Sequence, residues 1–248
     1  MYYSQPIPKL VFPNVKEANT LESNEPLVDF YQMSKGNDRI YHAKPMYYQM
    51  GVHGACSKCY LRKTAAEKLF LAASLLPDGF KLKIYDAWRP ALVQQTLYDQ
   101  YYSIQKRLPQ NAHKTEEELR NITTKFISYP SKNPLFPFVH STGGAVDLTI
   151  VNELGEELDM GTGFDDFSDK ANTSHYEDSV LATELTMEKN TSHLIRNHRR
   201  LLYHIMSEAG FTNLPSEWWH YDYGDLFWGY YKEKPSIYQG IFEITQVN

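Results

Sequence analysis

Two histidines and two carboxylates, held in two short segments, have the residue types and spacing of a metal-dependent hydrolytic site. The segment "HSTGGAVDLTI" (140–150) carries His140 and, seven residues on, Asp147; "SEWWHYDYG" (216–224) carries Glu217 three residues ahead of His220. Imidazole nitrogens and carboxylate oxygens are common donors to a catalytic zinc, whose fourth position is left to water. A further carboxylate beside that water can take its proton and later give it to a leaving amine.

Each segment also has a simpler structural interpretation. The aromatic residues around Glu217 suit a half-buried strand whose polar side chains face water. Asp147 lies in the apolar run "AVDLTI", where a carboxylate is costly unless it is paired or bound to a metal, although it could instead cap a strand end. A spacing of three puts Glu217 and His220 on one side only in a helical turn or at an irregular strand start. The aromatic run and Pro215 favour the irregular strand.

The bulk properties exclude several classes of protein. The chain has 248 residues and a net charge of -5, which argues against nucleic acid as the main partner. Its longest mostly apolar run, residues 69–76, is far too short to span a bilayer, so no membrane partner is expected. The N-terminus has no apolar segment typical of a secretory signal, which predicts a cytoplasmic protein. Cys56 and Cys59 form a single CxxC without a second ligand pair, which favours reduced thiols over a zinc site.

The elements that must position these residues alternate without a regular strand–helix–strand pattern. Helical periodicity covers residues 60–76, and strand-like alternation follows at 80–86. Further helices are predicted after Pro90, from a capping box at Thr115 and Glu118, and over 192–210; further strands are predicted near 145–150 and over 216–224. This order predicts an α+β fold, a single domain with a central, mainly antiparallel sheet flanked by helices. Residues 1–40 are expected to form an extended N-terminal arm packed on a catalytic domain of residues 41–248.

Four motifs together resemble those of a known family. They are "YDAWRP" (85–90), "HSTGGAVDLT" (140–149), "MGTGFD" (160–165) and "EWWHY" (217–221), which occur in the family's order and with compatible spacing. The sequence resembles the D-alanyl-D-alanine dipeptidases of the vancomycin-resistance and cell-wall-recycling type, within the LAS zinc metallopeptidases. The resemblance spans roughly residues 60–225.

The resemblance implies a function and a set of site residues. It implies one Zn²⁺ per chain held by His140, Asp147 and His220, and a zinc-dependent hydrolysis of D-Ala-D-Ala or a close D,D-dipeptide to free D-alanine. Glu217 matches the family's catalytic acid and base. Arg89 matches the arginine that steadies the oxyanion of the tetrahedral intermediate. Asp165 matches the aspartate that receives the free ammonium of the small dipeptide substrate.

The sequence departs from the family pattern in one place and leaves two rival functions open. The family commonly has serine two residues before the first ligand histidine, where this chain has Phe138. One rival is a D,D- or L,D-carboxypeptidase acting on peptidoglycan stem peptides, which would have no substrate ammonium for Asp165 to bind. The other is a non-catalytic zinc-bearing binding module for cell-wall peptides, which would need neither Glu217 nor Arg89.

Overall fold

A computed structural model describes residues 2–16, 19–177 and 187–244 of the chain. Its centre is a five-stranded sheet with the strand order β2-β4-β5-β7-β6. A separate two-stranded sheet joins β1 to β3. The strands are β1 Leu27–Asp29, β2 Ile40–Tyr41, β3 Tyr60–Arg62, β4 Lys81–Asp86, β5 Val146–Val151, β6 Thr212–Asn213 and β7 His220–Asp222.

Helices lie around this sheet. The described residues form α1 Phe30–Met33, α2 Met46–Gln49, α3 Lys63–Ser74, α4 Ala91–Arg107, α5 Glu116–Thr124, α6 Met187–Glu208 and α7 Leu226–Lys232. Short 3₁₀ helices occur at Tyr2–Ser4, Pro109–Asn111, Val139–Thr142 and Asp169–Ala171. Helices α3 and α6 contact each other, and α4 packs on α5.

The sheet is mainly antiparallel, as the sequence predicts. Strand β5 pairs antiparallel with both β4 and β7, and β7 pairs antiparallel with β6. Only the short edge strand β2 runs parallel to its neighbour, β4. Every residue of β5 is buried, which explains why this strand is a continuous apolar run apart from Asp147 and Thr149. The predicted α+β single domain is therefore confirmed.

The predicted helix at 60–76 is shorter than its periodicity suggested. Residues 60–62 pair with β1 as strand β3, and the helix begins only at Lys63. The apolar stripe is buried as expected, since Leu61, Ala65, Leu69 and Ala72 are fully shielded from solvent. At residues 60–62, pairing with β1 is therefore more favourable than a helical turn, in spite of their helical periodicity. The capping box at Thr115 and Glu118 is present at the start of α5.

The first forty residues contain some regular structure of their own. They include β1, α1 and the first residue of β2, and the 3₁₀ helix at Tyr2–Ser4 packs against α6. Arg200 of α6 donates a hydrogen bond to the carbonyl oxygen of Tyr3, and an imidazole nitrogen of His204 lies 2.8 Å from the carbonyl oxygen of Gln5.

Among the described residues, no helix is both long enough and apolar enough to cross a bilayer.

Candidate active site

Strand pairing brings Asp147 and His220 side by side. The two residues are direct partners across the antiparallel pair β5–β7, and side chains at such positions lie within contact distance on the same face of the sheet. His140 reaches them from the 3₁₀ helix Val139–Thr142, which ends at Gly143 with φ 73°. A side chain at Gly144 would put its Cβ 2.1 Å from the carbonyl oxygen of Tyr223. The two glycines therefore allow the tight turn that returns the chain from His140 into β5.

The three side chains converge on one point. His140 Nε2 lies 3.2 Å from His220 Nδ1 and 3.3 Å from Asp147 Oδ2, and His220 Nδ1 lies 3.0 Å from Asp147 Oδ1. Zinc–ligand bonds of about 2.0–2.1 Å at tetrahedral angles would separate the ligand atoms by about 3.3–3.4 Å. All three residues are buried and form the cluster of possible metal ligands found among the described residues. The arrangement therefore fits a metal ion in both donor type and size.

The outer nitrogen of each imidazole shows which atoms are free to bind. His140 Nδ1 lies 2.8 Å from the carbonyl oxygen of Ala87, which can only accept, so Nδ1 donates and Nε2 carries the lone pair. His220 Nε2 lies 2.8 Å from Asp222 Oδ1, which leaves its Nδ1 facing the other two residues. His140 Nε2 and the Asp147 carboxylate are acceptors, and His220 Nδ1 faces both of them. A cation bound between the three atoms would take the place of a proton on His220 Nδ1, and the outer carbonyl and carboxylate orient the rings for it.

The charges of the cluster depend on one another. Burial by itself would raise the pKa of Asp147, but the imidazoles of His140 and His220 bring it well below its usual range. Burial would lower the pKa of His220, but the carboxylates of Asp222 and Asp147 raise it well above its ordinary value. A proton and a metal ion therefore compete for the same atom of His220.

Arg89 lies next to the cluster, in contact with Asp147. It is 8% exposed, and its guanidinium donates to Asp86 Oδ2 at 2.7 Å, Gln94 Oε1 at 2.8 Å and Asp147 Oδ2 at 3.2 Å. The ring of Tyr47 lies 4.8 Å from the guanidinium carbon. These contacts use three of the five guanidinium N–H groups and fix the plane of the side chain. Two donors remain for a group bound in the cavity.

Glu217 reaches the cluster from a turn that precedes β7. The predicted strand over 216–224 is regular only at His220–Asp222, because Glu217 N donates to Leu214 O and His220 N donates to Glu217 O. This irregular entry puts Glu217 Oε2 3.9 Å from His220 Nδ1. Its side chain is 19% exposed. Burial raises the pKa of Glu217 to about 8, although His220 opposes the shift.

Asp165 lies on a loop that borders the same cavity. Its backbone has φ 60°, in the left-handed region that favours glycine and, among the other residues, asparagine and aspartate. Tyr47 donates its hydroxyl to the carboxylate, at 2.9 Å from Oδ2 and 3.2 Å from Oδ1. Burial raises the pKa of Asp165 to about 7, while the nearby Arg89 opposes the shift.

A buried arginine holds the two ends of this loop together. Arg199 of α6 donates from Nε to Met160 O at 2.8 Å, from Nη1 to Asn172 O at 2.6 Å and from Nη2 to Lys170 O at 2.7 Å. Trp218, the neighbour of Glu217, also donates to the loop, from its indole nitrogen to Thr162 Oγ1 at 2.8 Å. The loop that carries Asp165 is therefore attached both to α6 and to the turn that carries Glu217.

We expect Arg199→Lys to lower the free energy of unfolding by about 2–4 kcal/mol, because an ammonium cannot serve three separated carbonyl groups in this geometry. Chemical denaturation followed by circular dichroism measures the change. Arg107→Lys, at an exposed position in the last turn of α4, is the matched control and should change stability by less than about 0.5 kcal/mol. Equal stability of the two variants would show that the carbonyl contacts of Arg199 are not important for the fold.

These groups line one cavity, which has a volume of about 570 Å³ when its open mouth is counted. The residues predicted from the sequence all border it: His140, Asp147, His220, Glu217, Arg89 and Asp165. Sequence reasoning missed Tyr47, which borders the cavity as well. No local signal distinguishes Tyr47 from the other tyrosines, since its role depends on a partner 118 residues away. Asp86 lies in the motif "YDAWRP" and Asp222 in "SEWWHYDYG". Asp222 is two strand positions after His220, on the same face of β7.

Two imidazoles and a carboxylate around an open position, with a further carboxylate beside them, make this a site of the metallopeptidase type. The comparisons with known proteins agree. Residues 50–239 match the peptidase family described as D-ala-D-ala dipeptidase. Since that match covers most of the chain, the protein belongs to this family of peptidases.

Curated relatives carry the same name. A D-alanyl-D-alanine dipeptidase of Synechocystis is 29% identical over 205 residues, which are 79% of this chain and 82% of the relative. One of Escherichia coli is 29% identical and covers 67% of each chain. One of Enterococcus faecium is 30% identical over 63% of this chain and 69% of its own.

Proposed function

We propose that the protein is a zinc-dependent dipeptidase that hydrolyses D-Ala-D-Ala, or a close D,D-dipeptide, to free D-alanine. The observation that carries the proposal is the convergence of His140 Nε2, His220 Nδ1 and an Asp147 oxygen within about 3.3 Å of one another, in a cavity also bordered by Glu217, Arg89 and Asp165. The names of the relatives support the substrate. Bound by the three ligands, one zinc ion per chain would supply Lewis-acid polarisation of the scissile carbonyl and activation of water.

Glu217 is proposed to move the proton. It borders the cavity next to His220 but is not one of the three converging ligands. A partly buried carboxyl whose pKa is raised towards neutrality is a good proton acceptor and, once protonated, a good donor to the leaving amine. The positive charge of a bound metal would favour its ionised form at the start of the reaction.

Arg89 is proposed to stabilise the negative charge that develops on the carbonyl oxygen. Its guanidinium is held by Asp86, Gln94 and Asp147, so it needs no reorganisation during the reaction. A fixed donor aimed at developing charge lowers the barrier more than it strengthens ground-state binding.

Asp165 is proposed to bind the substrate ammonium with Tyr47 fixing the carboxylate. The hydroxyl of Tyr47 donates to both carboxylate oxygens, and each oxygen retains a lone pair for a second donor. A carboxylate opposite the ammonium offsets the lost hydration of that charge. This position distinguishes a dipeptidase from a carboxypeptidase, whose substrates continue beyond the scissile residue and carry no ammonium there.

The direct test is an assay of the purified protein loaded with zinc. The protein is incubated separately with D-Ala-D-Ala, L-Ala-L-Ala and N-acetyl-D-Ala-D-Ala, and released alanine is measured. We expect cleavage of the first substrate and little cleavage of the other two. No release from any of the three would contradict the dipeptidase proposal, whereas cleavage of the acetylated compound alone would favour the carboxypeptidase.

We expect the zinc-loaded protein to contain about one zinc per chain, and His220→Ala to lose most of it. The substitution leaves two of the three protein ligands, and it removes an imidazole, which is a common zinc ligand in its neutral form. Metal content after dialysis, measured by atomic emission, gives the result. His113→Ala, at an exposed position, is the control and should keep full occupancy. Full occupancy in His220→Ala would mean that the ligand assignment is wrong.

A further inference from the structure

The ring of Phe164, the residue before Asp165, lies where three segments of the site meet. Its centroid is 5.7 Å from that of Tyr47, 4.8 Å from that of Tyr85 and 5.6 Å from that of Trp219. Aromatic pairs at such distances attract each other beyond the area that they bury. Phe164 is half-buried and is not among the described residues that border the cavity. The ring therefore packs against neighbours of the site without bordering the cavity itself.

Two of these three rings belong to segments that carry functional groups. Tyr85 directly precedes Asp86, whose carboxylate accepts from Arg89 at 2.7 Å. Trp219 directly precedes His220 in the turn that enters β7. The ring of Phe164 thus connects its loop both to the end of β4 and to the start of β7.

The third ring gives Phe164 a direct relation to the carboxylate of Asp165. Tyr47 is 4% exposed, and its hydroxyl donates to both carboxylate oxygens. Phe164 is joined to Asp165 by the peptide bond and packs on the ring of Tyr47, so the three residues form a closed set of contacts. The φ of 60° at Asp165 is uncommon outside glycine, and such a backbone persists where surrounding contacts hold it. The ring contacts of Phe164 supply such support at the adjacent residue.

We propose that Phe164 is a positioning residue, whose ring holds Asp165 and Tyr47 in the arrangement that receives the substrate ammonium. The inference rests on the proposed dipeptidase function, and it adds a residue that acts on the substrate only through Asp165. Leucine at this position would keep an apolar side chain but remove the ring contacts.

Phe164→Leu should therefore weaken substrate binding more than it slows the reaction. A small displacement of a positioning group can cost about 100-fold, so we expect kcat/KM on D-Ala-D-Ala to fall by about 10- to 100-fold. The loss should come mainly from a higher KM, because the groups that act on the scissile bond keep their own hydrogen bonds. Zinc content should not change.

A double-mutant cycle separates positioning from a general loss of stability. kcat and KM on D-Ala-D-Ala are measured for the zinc-loaded wild type, Phe164→Leu, Asp165→Asn and the double variant. Residues that act as a unit have non-additive effects, so Phe164→Leu should cost less than about threefold in the Asp165→Asn background. A merely structural role would lower kcat/KM by the same factor in both backgrounds.

Phe80→Leu is the matched control for the cycle. Phe80 is also half-buried and packs against the main core, but it does not border the cavity. Its substitution should leave kcat/KM within about threefold of the parent protein in both backgrounds. If Phe164→Leu does not fold, Phe164→Met takes its place, since methionine fills irregular space but has no ring.

Three results would overturn the inference and leave the dipeptidase proposal intact. They are an unchanged kcat/KM in Phe164→Leu, equal losses in the two backgrounds, and a loss that lies in kcat at an unchanged KM. An Asp165→Asn variant with full activity would remove the ammonium partner, and the inference would fail with that assignment. A wild type that does not cleave D-Ala-D-Ala would overturn the proposed function, and this inference with it.

Discussion

Glu217→Gln is expected to reduce kcat by about 10²–10⁴-fold while leaving the fold and the metal content unchanged. Glutamine has the size of glutamate and can still accept a hydrogen bond, but it cannot take a proton from water or give one to a leaving amine. Glu217 is also separate from the three converging atoms of His140, Asp147 and His220, so the substitution leaves the ligand set complete. Loss of turnover without loss of metal is therefore the specific signature of a proton-transfer role.

Three measurements on the same preparation test this expectation. They are kcat on D-Ala-D-Ala, zinc content after dialysis and the thermal unfolding midpoint. Glu153→Gln, at an exposed position, is the matched control and should behave as the wild type. Activity of Glu217→Gln within a few-fold of the wild type would remove Glu217 from the mechanism. Loss of zinc together with activity would instead make Glu217 a part of the metal site.

Asp165→Asn should raise the transition-state free energy for D-Ala-D-Ala, obtained from kcat/KM, by about 2–5 kcal/mol. This is the usual cost of leaving a buried charge without its partner. This corresponds to a decrease of roughly 30- to 5,000-fold. Asparagine keeps the shape of the side chain and also tolerates the positive φ of this position, so the backbone should not change. The substitution thus removes the negative charge with little other disturbance.

A comparison of free and acetylated dipeptides makes the test specific. N-acetyl-D-Ala-D-Ala has no ammonium, so the wild type should cleave it poorly, and Asp165→Asn should bring the two substrates closer together. Asp166→Asn is the matched control, since its carboxylate accepts from the backbone of Ser168 within its own loop. Should the wild type cleave both dipeptides equally well, the cavity would be open at this end, and carboxypeptidase would be the better description.

Local patterns predicted much of the fold because they depend on neighbours in the chain. The capping box at Thr115 and the apolar stripe of α3 are present. The strand at Val146–Val151 could also be predicted, since a buried strand has a nearly continuous apolar sequence. Residues 60–62 form strand β3 and not the first turn of the predicted helix, because they pair with β1, more than thirty residues earlier in the chain. Hydrophobic periodicity reflects near neighbours in the chain, so it does not indicate pairing between distant segments.

Residue types and short spacings in the sequence were sufficient to predict the donor chemistry of this protein: two imidazoles, a carboxylate within an apolar strand that follows two glycines, and a second carboxylate three residues before a histidine. How these groups meet depends on strand pairing and packing across the whole fold. The register of β5 on β7 puts Asp147 opposite His220, and the loop held by Arg199 brings Asp165 to Tyr47, 118 residues away. Residue types and short spacings are properties of the chain, but distances of a few ångströms between remote side chains arise only when the whole core packs.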